Sequence, residues 1–282
     1  MGKKKILISL TIFAIIIFTA LTIFISYNNR KIESKPEDIN WVTLEFESWK
    51  DLDAYFESIN YNLDNPEIPN VLIKSFPKDF PDVYPVEKKK ELFTKIMLPI
   101  ILAINAEIEN EQIKLDKALI ENDLETIENL KAKYNATNIE ELKIRIKPIP
   151  IEIALGQSAK ESGWGSSRFA IEGNNIFGEW TWESGTGIVP AERAEGEIYE
   201  VKKFESLTDS MRSYALKLNS LNYYEDFRLI RAGIIKNKSY EDGLLYYSQQ
   251  RELYVSTLKD LIDSNNFREF SSMNFELYYI EN

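Results

Sequence analysis

The apolar positions change their spacing several times along the chain, and each change marks an element. Ile6 to Ser26 are 21 consecutive uncharged, mostly apolar residues. As a helix rising 1.5 Å per residue they span about 31 Å, the depth of a bilayer's hydrocarbon core. The sequence that follows, SYNNRKIES, lacks a small-x-small cleavage pattern, so an uncleaved transmembrane anchor over 6–26 is expected. Residues 1–5 would form a basic cytoplasmic tip, since the triple lysine there favours the amino terminus inside. Residues 27–50 read as a polar stalk. Over 51–86, acidic, aromatic and proline positions alternate (NPEIPNVL, SFPKDFPDVYPVE), and prolines spaced this way block long helices, so a wrapped, extended segment is predicted.

From Glu87 the pattern becomes helical. Leu92, Ile96, Met97, Ile100, Ile101, Ile104 and Ile108 recur at helix spacing, a second, more charged helix is predicted over 114–134 and a third over 138–146. With 51–86 these form a helical subdomain over 51–146. Their charged faces read as solvated surface. Lys147-Pro148-Ile149-Pro150 breaks the run, and a fourth helix follows with Ile151, Ala154, Leu155 and Ala159 inward. Over 178–204, Thr, Trp, Val, Ile and Tyr interleave with Gly185, Gly187 and Gly196, predicting one or two short antiparallel strands with turns. Helices are predicted again over 207–221, with Thr208 as a cap, 223–235, 239–249 and 251–264. The body is therefore expected to be mainly α with a small β-hairpin lobe.

Composition removes whole classes of chemistry. The 282 residues include no cysteine and no histidine. This excludes disulfides, thiolate nucleophiles, zinc sites built on those residues, and Ser-His-Asp or Cys-His arrangements. Proton transfer near neutral pH falls to carboxylates, tyrosine or lysine. The net charge is −11, distributed as +5 over residues 1–35 and −16 over the rest. A body of that charge repels nucleic acid, so no nucleic-acid partner is expected.

The stretch with chemical content is ALGQSAKESGWGSSRF, then EGNNIFG. Glu161 falls at the end of an apolar-faced helix that Gly163 and Gly165 terminate around Trp164. A carboxylate beside an indole in a partly dry pocket has its ionised form disfavoured. A raised pKa keeps it protonated, the state in which a general acid donates to a glycosidic oxygen. The residues alone equally allow a solvated Glu161 at a helix end and a Trp164 that anchors the core.

The run ALGQSAKESGWGSSRFAIEGNNIFGEWTW, followed by GIVPAERAEGEIYEVKKFESL, resembles the endo-β-N-acetylglucosaminidase domain of glycoside hydrolase family 73, and more narrowly its Bax-like branch. The likeness extends from FPKDFPDVYPVEKKKELF to LLYYSQQRELYVSTLKDLI, about residues 70–265. The resemblance implies a lysozyme-like helical fold, a catalytic domain over 147–270 and hydrolysis of the N-acetylglucosaminyl linkage in peptidoglycan glycan strands. It also implies Glu161 as catalytic acid and Tyr247 as the late tyrosine near the reacting sugar, with Tyr254 closing a Y-x(6)-Y tail and Tyr246 left to packing. Trp164, Asn174, Phe177, Tyr224 and Tyr254 are expected to shape the sugar site. Glu192 is the nearest match for a second carboxylate on the hairpin, with Glu195 and Glu200 close by. If none of them acts, the substrate's acetamido oxygen can serve as nucleophile. No metal or organic cofactor is implied. The expected setting is the outer face of the cytoplasmic membrane, with residues 6–26 in the bilayer. A lytic transglycosylase and a non-catalytic wall-binding module are the competing readings.

Overall fold

The computed structural model describes residues 40–65, 67–191, 193, 196–272 and 275–278, and the predicted anchor over 6–26 lies outside them. Among the described residues no helix is long and apolar enough to cross a membrane. The architecture is mainly helical with three small sheets.

The predicted stalk ends earlier than residue 50. Strand β1 (Val42–Leu44) pairs in parallel with β3 (Val71–Ile73), and Trp41, Leu44, Phe46 and Trp49 pack against the core. The expectation of extended chain over 51–86 also fails at its start, because helix α1 (Trp49–Ser58) forms there. Its ten residues precede the first proline of the run, and Ser48 caps it by accepting from the Asp51 N–H. Beyond α1 the chain does wrap, with β2 (Glu67–Pro69) pairing in parallel with β7 (Glu276–Tyr278).

The two helices expected over 87–134 are divided differently. Helix α2 runs unbroken from Val86 to Glu121, 36 residues, and Asn122 ends it in the left-handed conformation. Helix α3 (Leu124–Tyr134) then starts at the Asp123 cap. The charged stretch continues α2 because nothing in it breaks a helix before Asn122. Leu92 through Ile108 supply the wall on which the rest packs.

Helix α4 (Ile139–Arg145) leads into the proline-flanked turn at 147–150. That turn is pinned by polar side chains. Asn105 of α2 donates to the Ile149 carbonyl and accepts its N–H, both at 2.8 Å. Asn219 and Arg231 donate to the Lys147 carbonyl. Helix α5 (Ile151–Ser162) emerges from this clamp into the centre of the molecule, with eight of its residues from Glu152 to Ala159 buried. At Gly156 a Cβ would lie 2.6 Å from Ile262, so glycine permits the close approach of α5 to helix α9 (Glu252–Ser264).

After α6 (Arg168–Gly173), strands β4 (Trp180–Thr181), β5 (Gly187–Ile188) and β6 (Glu200–Lys202) form an antiparallel sheet with β6 central. Helix α7 (Leu207–Ser220) is capped by Ser206 rather than Thr208, whose place is one residue inside the helix. The segment 223–235 narrows to α8 (Glu225–Arg231). The helix expected over 239–249 is a short 3₁₀ turn at Tyr240–Leu244, where Gly243 presses against the backbone of Phe227. Helix α10 (Phe267–Ser272) packs on α5.

Candidate active site

Glu161 lies in the last turn of α5, and the letters around it in the sequence hold that turn in place. Gly163, Trp164 and Gly165 all have positive φ (57°, 57° and 74°), so the chain reverses sharply just past the carboxylate. A tryptophan in this conformation costs roughly 1–2 kcal/mol. Its packing offsets that cost: the indole sits edge-on to Phe93 at 5.5 Å and tilted on Phe267 at 5.9 Å, with the Lys90 ammonium over its face. Ser162 Oγ accepts the Gly165 N–H at 2.8 Å. Trp164 therefore turns toward the core and does not line the cavity that Glu161 faces, contrary to the sugar-contact role expected of it.

That cavity has a volume of about 350 Å³ and is lined by Glu161, Phe177, Gly178, Glu179, Trp180, Trp182, Tyr214, Lys217, Leu218, Tyr224 and Tyr247. A directed hydrogen-bond relay runs behind it. Tyr214 donates to Gln157 Oε1 at 2.6 Å, Gln157 Nε2 donates to the Tyr254 hydroxyl at 2.8 Å, and Tyr254 donates to Glu161 Oε1 at 2.7 Å. Gln157 is fully buried and Tyr254 nearly so. Every donor in this chain has one acceptor, so the direction of each bond is fixed by the amide in the middle. Oε1 of Glu161 is thereby committed, and Oε2 is left to carry a proton.

Burial raises the Glu161 carboxyl above its ordinary range, against the opposing pull of the Tyr254 hydrogen bond and the Lys160 charge. Burial, not the indole, is the source of this shift. The phenols around it are also pushed up: Tyr214 and Tyr247 well above their usual value, mainly by burial, and Tyr224 to about 12 by burial and the charges of Glu179 and Glu161. All remain protonated donors at neutral pH.

The other expected residues separate into two groups. Phe177 lines the cavity and stacks on Tyr214 at 3.8 Å, and Tyr224 lines it as well. Tyr247 lines it with its ring 5.4 Å from Tyr254 and 6.0 Å from Tyr224. Tyr254 stands behind the wall as the partner of Glu161. Asn174, in contrast, is a structural cap: it ends α6 at φ 52° and donates to the Phe204 and Glu205 carbonyls, away from the cavity. Tyr246 is exposed, with Arg251 over its ring, and is not the packing residue expected. Glu192 and Glu195 lie outside the described residues. Glu200 is buried under the hairpin, where its carboxylate accepts the Gly185 and Gly187 N–H groups, and these bonds lower its pKa.

The cavity also contains residues that the motif reading passed over. Glu179, directly after the N-N-x-F-G run, is 6% exposed. Its Oε2 accepts from Lys217 Nζ at 2.9 Å and Ser213 Oγ at 2.8 Å. Trp180, which opens β4, and Trp182, just past its end, are both exposed and both line the cavity, an aromatic pair legible in EWTW. Among the described residues no group of three or more carboxylates converges so as to hold a metal ion.

Residues 136–267 match the glucosaminidase family model, described as mannosyl-glycoprotein endo-beta-N-acetylglucosaminidase. A glucosaminidase-family domain of glycoside hydrolase family 73 thus occupies that range, which includes every described residue lining the cavity. The chain is 26% identical over 161 residues to Protein bax of Escherichia coli (strain K12), an alignment that covers 52% of this chain and 57% of the relative. No solved structure matches the chain.

Proposed function

We propose that this protein is a peptidoglycan hydrolase of the endo-β-N-acetylglucosaminidase type, with Glu161 as the proton donor. The observation that carries the reading is the relay from Tyr214 through Gln157 and Tyr254 to Glu161 Oε1. It holds a carboxyl of raised pKa at the wall of an aromatic-lined cavity, with its second oxygen free to protonate a leaving glycosidic oxygen. The aromatic faces of Trp180, Trp182 and Phe177 suit pyranose rings, whose C–H surfaces are apolar. Tyr247 orients the N-acetyl group or stabilises charge in the transition state. Glu192 is the hairpin carboxylate that positions water; equal and small losses in its alanine variant and those of Glu195 and Glu200 would point to the substrate's acetamido oxygen as nucleophile. Residues 6–26 anchor the chain in the cytoplasmic membrane, with the catalytic body outside.

The test is digestion of purified cell wall followed by analysis of the sugar ends. New N-acetylglucosamine reducing ends are expected, and Glu161→Gln should lower the rate by roughly 10²–10⁴-fold. Anhydro-muramyl ends would assign the activity to a lytic transglycosylase instead, and a Glu161→Gln variant of undiminished activity would remove Glu161 from the chemistry. Amino-terminal sequencing of the membrane-bound protein tests the anchor, since a start near 27–35 would mark residues 6–26 as a cleaved signal.

A further inference from the structure

The cavity has a second carboxylate that proton donation by Glu161 does not use. Glu179 is fixed from both directions. Its N–H donates to Asn175 Oδ1 at 2.9 Å, and its carbonyl accepts from Asn175 Nδ2 and from the Lys202 N–H, each at 2.8 Å. Its Oε2 is held by Lys217 and Ser213 of α7. Its Oε1, however, is buried without a hydrogen-bond partner among the described residues. Buried carboxylate oxygens normally find donors, because leaving one unpaired forfeits its hydration. Asn175, Ser213 and Lys217 together keep the Glu179 side chain in the cavity lining, and a bound donor that reaches Oε1 by a small shift of that side chain would relieve the cost.

The surroundings specify which donor. An ionised carboxylate oxygen only accepts. Tyr224 and Tyr247, lining the same cavity, are phenols held in their protonated form and can donate. A wall with one acceptor-only oxygen and neighbouring hydroxyl donors complements an amide, which has one N–H and one carbonyl oxygen. A sugar hydroxyl, both donor and acceptor, would be served by either alone. Phe177 offers an apolar face for a methyl group. We propose that Glu179 Oε1 accepts the acetamido N–H of the bound sugar, so that Glu179 is the residue by which the cavity recognises the N-acetyl substituent. This inference rests on the glycan-cleaving reading above.

The test uses the full-length protein with Glu161→Gln, which prevents turnover. Binding is measured by calorimetry with the β-1,4-linked N-acetylglucosamine tetramer and with its 2-O-acetyl counterpart, in which oxygen replaces the amide N–H. The parent should prefer the amide by roughly 10–100-fold, the range for a hydrogen bond to a charged group. Adding Glu179→Gln should bring that preference close to unity, because the glutamine oxygen stays on Lys217 and Ser213 and its NH₂ then meets the ligand's donor. Glu179→Asp keeps the charge beside Lys217 but withdraws the oxygens by one methylene, and should lose the preference too. A structural counter-ion of Lys217 would weaken both ligands equally and leave their ratio unchanged, which overturns the proposal. Equal binding of the two ligands by the parent overturns it as well. A parent that binds neither ligand fails the glycan reading itself.

Discussion

Replacing Tyr254 by phenylalanine removes one oxygen atom and breaks the relay at both of its last bonds. In the native protein the Tyr254 hydroxyl donates to Glu161 Oε1 and accepts from Gln157 Nε2. The first bond favours the ionised carboxylate and so opposes the rise that burial imposes on Glu161. Without it the Glu161 pKa must climb further. A hydrogen bond to a charged group contributes about 1.5–3 kcal/mol. At 1.36 kcal/mol per pKa unit this corresponds to about 1–2 units. Because Glu161 acts as an acid, its protonated form would persist to higher pH, and the alkaline limb of the kcat/KM profile should move up by about that amount. The second lost bond leaves the amide N–H of a fully buried Gln157 unpaired, at a cost of roughly 1–3 kcal/mol. For a domain of this size that lowers Tm by about 2–12 °C. A pH–rate profile on soluble glycan fragments and a thermal melt measure the two effects separately. An alkaline limb that stays in place, or moves to lower pH, would refute the assignment of Tyr254 as the group that stabilises the Glu161 anion.

Three further outcomes are expected. Glu161→Gln should be more stable than the parent at neutral pH, and the difference should close below about pH 4.5. With its pKa raised in the folded state, Glu161 contributes stability only while protonated, and that contribution is lost as pH rises from the ordinary value of 4.5 through the folded one; paired melts across pH measure it. Tyr247→Phe should lower kcat by about 10²–10³, the loss seen when one preorganised donor is removed, with little change in Tm, whereas Tyr246→Phe, at an exposed position, should change neither; swapped phenotypes in steady-state assays would move the role to Tyr246. Gly243→Ala should destabilise the protein by about 1–3 kcal/mol or more in chemical denaturation, because a Cβ there would lie 2.3 Å from Phe227 Cα, and backbone cannot yield as a side chain does.

The helical periodicity made α5, α7, α9 and the apolar first part of α2 legible, and the position of Glu161 at the end of α5 followed from the apolar face and the glycines beyond it. The direction of Trp164 was not legible. Three consecutive left-handed residues turn the chain there, and which side of the helix the indole reaches depends on Phe93 and Phe267, far away in sequence. Glu179 was hidden for a similar reason. After a glycine, a single glutamate reads as a solvated charge until Ser213 and Lys217, 34 and 38 residues later, close over it. Tyr247 was selected over Tyr246 by the resemblance of the tail, and the helix expected over 239–249 plays no part in separating them, since the 3₁₀ turn ends at Leu244 and both tyrosines lie in the turn and bend that follow. Asn105 had no signal in the sequence, because its partner is a backbone group that only the fold brings near.

That asparagine decides where the chain can be cut. The family match begins at residue 136, whereas Asn105 sits upstream of it in α2 and satisfies both backbone groups of Ile149, a residue 1% exposed. Phe76 and Phe80 close on Gly165, and Phe93 supports Trp164. A fragment of 136–267 would keep every described cavity-lining side chain and lose all of these supports. Two buried backbone groups left unpaired cost roughly 1–3 kcal/mol each, a large share of a typical domain's stability. The stretch that the family model matches is therefore shorter than the stretch whose contacts hold the cavity in place. Grafting it onto another scaffold would require that scaffold to bring its own carboxamide to Ile149 and its own aromatic face to Trp164.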